Sequence, residues 1–134
     1  MRILSLPVSF GEAADKVAIL EIKRERIADR AKRTNIETEF QMISAPFFEA
    51  ARQRPGFEPL YAKLKDINLR LWDIEENIRQ HERRGDFDAE FVRLARAVYR
   101  TNDERVRVKR ALDRLFDSQI VEEKSYVEHG LEEP

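Results

Sequence analysis

LYAKLKDINLRLWDIEENIRQHERRGD, residues 60–86, is the stretch that decides the fold. Leu60, Leu64, Ile67, Leu71, Ile74 and Ile78 step by four and three residues in turn, the spacing of a helix that buries one seam against another helix. Gly85 lets such a helix stop in a left-handed turn, and Asp86 or Asp88 can cap the next one. The alternation resumes at Phe87, Phe91, Leu94 and Val98 and continues through Thr101, Arg105, Val108, Leu112 and Leu115. At 1.5 Å per residue each helix is about 40 Å long. The two therefore form a long antiparallel hairpin, 58–85 and 87–117, in which residues whose numbers sum to about 172 face each other.

Upstream, Ser9-Phe10-Gly11-Glu12 reads as a capping box that opens a first helix. Ala13, Val17, Leu20 and Ile27 follow at helical spacing, and Ala14, Ala18, Ile19 and Ile22 widen that face enough to touch two partners. Thr34-Asn35-Ile36-Glu37 reads as a second capping box, and Pro46 predicts a kink or restart near Ser44-Ala45. Arg54-Pro55-Gly56-Phe57-Glu58-Pro59 is the loop that separates two hairpins. The expected architecture is all-α and a single domain of four main helices, with a shorter hairpin (10–31 and 35–53) packed on the long one. Residues 1–8 form an extended arm, and the acidic tail 118–134 docks first through Ile120, Val121, Tyr126 and Val127 and then frays.

Composition narrows the function. The chain has 134 residues, 42% hydrophobic and 38% charged with 4 glycines, which suits long solvated helices and one core. A net charge of −1 provides no overall field to recruit nucleic acid or anionic lipid, so nucleic acid is disfavoured as a partner. Without cysteine there is no disulfide, thiolate metal site or cysteine nucleophile. No run could span a bilayer, and the apolar part of Met1–Pro7 is too short for a signal peptide, so a cytoplasmic protein is expected. His81 and His129 lack a glutamate three residues before them, which excludes a ferritin-like di-iron pattern. Glycine phosphate loops and serine elbows are missing. Asp73, Glu75, Glu76 and Glu82 could hold magnesium only at loose spacing, and a solvated face with the Glu75–Arg79 pair outweighs that use. Neither a metal nor a cofactor is expected.

Two constellations remain. Thr101 and Arg105 are polar positions on an apolar seam, and an unpaired buried guanidinium would cost several kcal/mol. A carboxylate must approach Arg105, with Glu21, Glu25, Asp73 and Glu76 as candidates. Glu21, Asp73, Tyr99, Asn102 and Arg105 could converge on a small anionic ligand, with a carboxylate as general base if the site is enzymatic. The competing expectation, and the favoured one, is a buried polar layer that sets helix register. Separately, Arg93, Arg100, Arg107 and Arg114 recur every seven residues, with Arg96 and Arg110 alongside, as an outward stripe that could contact a polyanion. Pairing with nearby acids is favoured over that use.

Val8-Ser9-Phe10-Gly11-Glu12 with Asp15-Lys16 and Ile19-Leu20-Glu21-Ile22-Lys23 begins a set of linked words. Leu71-Trp72-Asp73-Ile74-Glu75, then Ala95-Arg96-Ala97-Val98-Tyr99-Arg100-Thr101-Asn102-Asp103, and Glu122-Glu123-Lys124-Ser125-Tyr126 complete it. Together, across residues 6–127, these resemble a family of short bacterial proteins of unknown function. Ala13-Ala14 stands where that family has a bulkier apolar pair, and Asp113 where it has an amide. The resemblance implies a bacterial cytoplasmic setting and no mechanism. The expected function is a non-enzymatic helical interaction module, self-associating as a homodimer because helices one and three carry more apolar face than a monomer needs.

Overall fold

The computed structural model describes residues 2–125. It contains four helices: α1 (Phe10–Arg26), α2 (Arg30–Ala51), α3 (Phe57–Arg84) and α4 (Ala89–Leu115). All four pack as one all-α bundle. The most extensive contact joins α3 to α4, and α1 lies against all three other helices. The wide apolar face of α1 thus serves three neighbours rather than two, and Ala14, Val17, Ala18, Leu20 and Ile22 are buried within one chain. That face no longer argues for a dimer.

The hairpin register holds. His81 packs on Phe91, with ring centroids 6.4 Å apart, and Arg70 Nη1 donates to Glu104 at 3.0 Å. Gly85 ends α3 at φ 72°, a left-handed conformation natural to glycine, and Asp88 caps α4 by accepting from the Phe91 N–H at 3.0 Å. His81, near the end of α3, is largely covered by Phe91 and the Asp86–Asp88 turn.

The first hairpin departs from expectation. α1 stops at Arg26, and Asp29, accepting from the Lys32 N–H at 2.9 Å, starts α2 five residues before Thr34. Thr34 is interior, and its hydroxyl donates to the Arg30 carbonyl at 3.1 Å instead of capping. Ala31, Lys32 and Arg33 favour helix, so the earlier cap wins. α2 also runs through Pro46 without a restart. Met42, whose carbonyl loses its usual donor there, lies on the outer face where water can replace the missing bond.

An aromatic group closes one end of the bundle. Phe10 stacks on Phe116 with centroids 3.6 Å apart, and Phe47, Phe48, Phe57 and Tyr61 pack edge to face or stacked beside them. α1 begins next to this group, and its free N–H groups find side-chain partners, two of them distant in the chain. The Phe10 N–H donates to Ser118 Oγ at 3.2 Å, that of Gly11 to Asp113 Oδ1 at 2.6 Å, and that of Glu12 to Ser9 Oγ at 3.1 Å. Glu12 does not complete the capping box; its carboxylate takes Lys109 Nζ at 2.7 Å. Asp113 places its carboxylate at a helix N-terminus, a favourable position for an acid.

The start of the tail is held by polar contacts rather than by its apolar residues. Ser118 Oγ donates to the Ile120 carbonyl, and Glu122 lies 3.6 Å from Lys109, while Ile120 and Val121 remain exposed. Tyr126, Val127 and His129 lie outside the described residues.

Candidate functional site

Asp15 occupies the buried face of α1 and is 2% exposed. Its Oδ1 accepts from Arg105 Nε at 3.0 Å and from Asn68 Nδ2 at 2.9 Å, while its Oδ2 accepts from Arg105 Nη2. Arg105 Nη1 donates to Asn102 Oδ1 at 3.2 Å. One carboxylate and one guanidinium therefore meet in a two-pronged ion pair that ties α1 to α4, with Asn68 adding α3. Hydrogen bonding to Asp15 raises the Arg105 pKa, against the opposing effect of burial.

This corrects the expected partner of Arg105, which is none of Glu21, Glu25, Asp73 or Glu76. Glu21 accepts from the Tyr61 hydroxyl at 2.7 Å and from Lys65 Nζ at 2.9 Å. Glu25 takes the same Lys65 at 2.9 Å, and Asp73 takes Arg26 at 3.0 Å in an exposed pair. Tyr99 is 42% exposed. Of the five residues expected to converge, the structure brings together Asn102 and Arg105; Asp15 and Asn68 were missed. The signal for Asp15 was its place between Ala14 and Val17 on an otherwise apolar face.

The arginines of α4 are divided. Arg93 forms a two-pronged pair with Glu90 at 2.8 and 2.5 Å, and Arg110 reaches Glu123 of the tail at 3.5 Å. Arg100 is half-buried, and its Nε has no acceptor among the described residues, so it does not continue an outward row. Arg96, Arg107 and Arg114 are exposed. Acids thus sit against Arg93 and Arg110.

Beside the ion pair a cleft of about 800 Å³ opens between α1, α3 and α4. Ile19, Ile22, Leu71 and Trp72 supply its apolar lining, Asn102 and Arg105 a polar end, and Arg26, Glu75, Glu76 and Arg79 charged groups. Most of that charge is matched, since Arg26 pairs with Asp73, Arg79 with Glu75 and Arg105 with Asp15. The cleft is apolar in its walls and close to neutral at its edge.

The Tyr61–Glu21–Lys65 group has a measurable consequence. Burial of Lys65 works to lower its pKa, but hydrogen bonds to Glu25 and Glu21 outweigh this and raise it. Burial, and then the bond to Glu21, push the Tyr61 phenol far above its usual value near 10. The unfolded chain releases that proton above about pH 10 while the folded chain keeps it, so this contribution to stability is full below pH 10 and falls as pH rises. Tyr61→Phe is expected to reduce stability at neutral pH by about 1.5–3 kcal/mol. It should also flatten the fall in melting temperature at alkaline pH. Identical alkaline slopes for both proteins would refute the assignment.

Among the described residues no three His, Asp or Glu side chains gather as a metal site, and no helix is long and apolar enough to cross a membrane. Fold and site define a small all-helical module in which a matched, buried ion pair borders an apolar cleft. The chain belongs to DUF6165, a family of unknown function, whose model matches residues 4–131. No curated protein and no solved structure matches it.

Proposed function

We propose that this chain is a non-catalytic helical interaction module that self-associates through the Trp72 cleft. The observation that carries this is the composition of the cleft: apolar walls, and an arginine at its polar end whose charge is already met by Asp15. A site awaiting an anionic metabolite would keep its cation poorly matched in the free protein. A surface that buries apolar side chains from a protein segment needs matched charges at its edge, because unmatched ones oppose desolvation. Exposed Ile3, Leu4, Leu6 and Val8 on the N-terminal arm, and Phe87 and Val92 at the far end of the hairpin, supply further uncovered apolar surface. A bacterial cytoplasmic setting, implied by the sequence resemblance, belongs to the same proposal.

Trp72 is the single tryptophan and lines the cleft, so its fluorescence reports occupancy directly. Raising the protein from submicromolar to tens of micromolar should shift Trp72 emission to the blue, in step with sedimentation at twice the chain mass. A chain that sediments as a monomer throughout, with unchanged emission, would overturn the proposal.

A further inference from the structure

We infer that the occupant of the Trp72 cleft is the N-terminal arm of a second copy, residues 3–8, exchanged reciprocally between two chains. This rests on the self-association proposed above and names its contact. Leu4 and Leu6 are 82% and 68% exposed, Ile3 and Val8 are more than half exposed, and the arm has no regular secondary structure. Leu4, Leu6 and Val8 alternate along the chain, so an extended arm presents all three on one side. The described residues contain no strand whose edge the arm could join. An apolar row of this kind is buried in a groove, and the cleft is the groove with apolar walls and enough volume.

Charge fits the same assignment. Arg2 precedes the row, and Glu76 at the cleft makes no ion pair among the described residues. An arm lying in the cleft can therefore set its arginine against an unmatched acid.

The arm cannot fill the cleft of its own chain and still reach it. Ser9 is fixed at the start of α1, and Ile19 and Ile22 lie about 15–20 Å further along that helix. Six extended residues span roughly 20 Å, so folding back would use the whole arm in transit. From a second copy the arm can enter directly. Each chain offers one arm and one cleft, so two chains related by a twofold axis satisfy both and the assembly closes at two.

The chain has no cysteine, which makes cross-linking selective. A Leu6→Cys chain mixed with an Ile19→Cys chain under mild oxidation should give the mixed disulfide dimer at least tenfold faster than Leu6→Cys mixed with Met42→Cys, an exposed site on α2 outside the cleft. The double change Leu4→Asp with Leu6→Asp should raise the dimer dissociation constant at least tenfold. The helical signal of the dilute monomer should stay unchanged, because these side chains are largely exposed and lie outside the helices. Cross-linking no faster than the Met42 control overturns the inference, as does a disulfide at monomer mass in a chain carrying both Leu6→Cys and Ile19→Cys. A dimer indifferent to Leu4 and Leu6 overturns the arm contact while leaving self-association standing. A monomer at every concentration overturns both.

Discussion

Arg105→Met is expected to lower the stability of the fold by about 3–5 kcal/mol, because it leaves the Asp15 carboxylate buried without a counter-charge. Methionine keeps much of the length of arginine and adds apolar contact, so the loss reports the stranded charge rather than a cavity. Changing Asp15 to Leu in the same chain removes that charge. The double variant should recover most of the loss, short by the roughly 1–3 kcal/mol of leaving the buried Asn68 amide without its acceptor. Denaturant melts of the wild type, both single variants and the double variant form the cycle that measures the coupling. A melting temperature that rises on Arg105→Met alone would mean that Asp15 does not need its partner, and the pair would lose its role in holding the bundle.

Gly11→Ala should destabilise by about 2–4 kcal/mol, although alanine is the better helix former by about 1 kcal/mol. A Cβ at position 11 would overlap the Lys109 carbonyl oxygen and sit 2.8 Å from its carbonyl carbon and 3.0 Å from Asp113 Oδ1. The obstruction is helix backbone, which cannot rotate away as a flexible side-chain end can. α1 must back off from α4, and that movement also stretches the 2.6 Å bond from the Gly11 N–H to Asp113. Clash and bond loss act in the same direction and exceed the gain in propensity. Thermal unfolding of Gly11→Ala beside Asp113→Asn separates them, since Asp113→Asn weakens the bond without the clash and should show the smaller loss. A Gly11→Ala protein as stable as the wild type would show that the helices can part there without penalty.

The long hairpin was legible because its information is local. The four-three spacing from Leu60 to Ile78, the stop at Gly85 and the cap at Asp88 each act within a few residues, and the facing register follows from the turn position. The boundary between α1 and α2 was misread because two adequate cap signals competed. Asp29 prevailed over Thr34 by coming first before good helix formers. The partner of Arg105 was illegible for a different reason. Asp15 interrupts an apolar face, yet next to Lys16 it equally has the pattern of a solvated acid, and nothing local decides between the two. Its burial is decided by where α1 crosses α4, and that crossing depends on the absence of a side chain at Gly11. Arg105 was readable as a polar interruption of a seam, while the residue that completes it depends on tertiary approach.

Asp15 also bears on the order in which the chain can acquire its structure as it is synthesised. Arg105 is made ninety residues after it. While only α1 and α2 exist, Asp15 has neither its guanidinium nor the Asn68 amide, so any collapse that covered this part of α1 would strand the carboxylate. That penalty opposes premature collapse of the first half and keeps α1 available until the α3–α4 hairpin arrives. A single acid, placed early and matched late, thus makes completion of the C-terminal half a condition for sealing the N-terminal one.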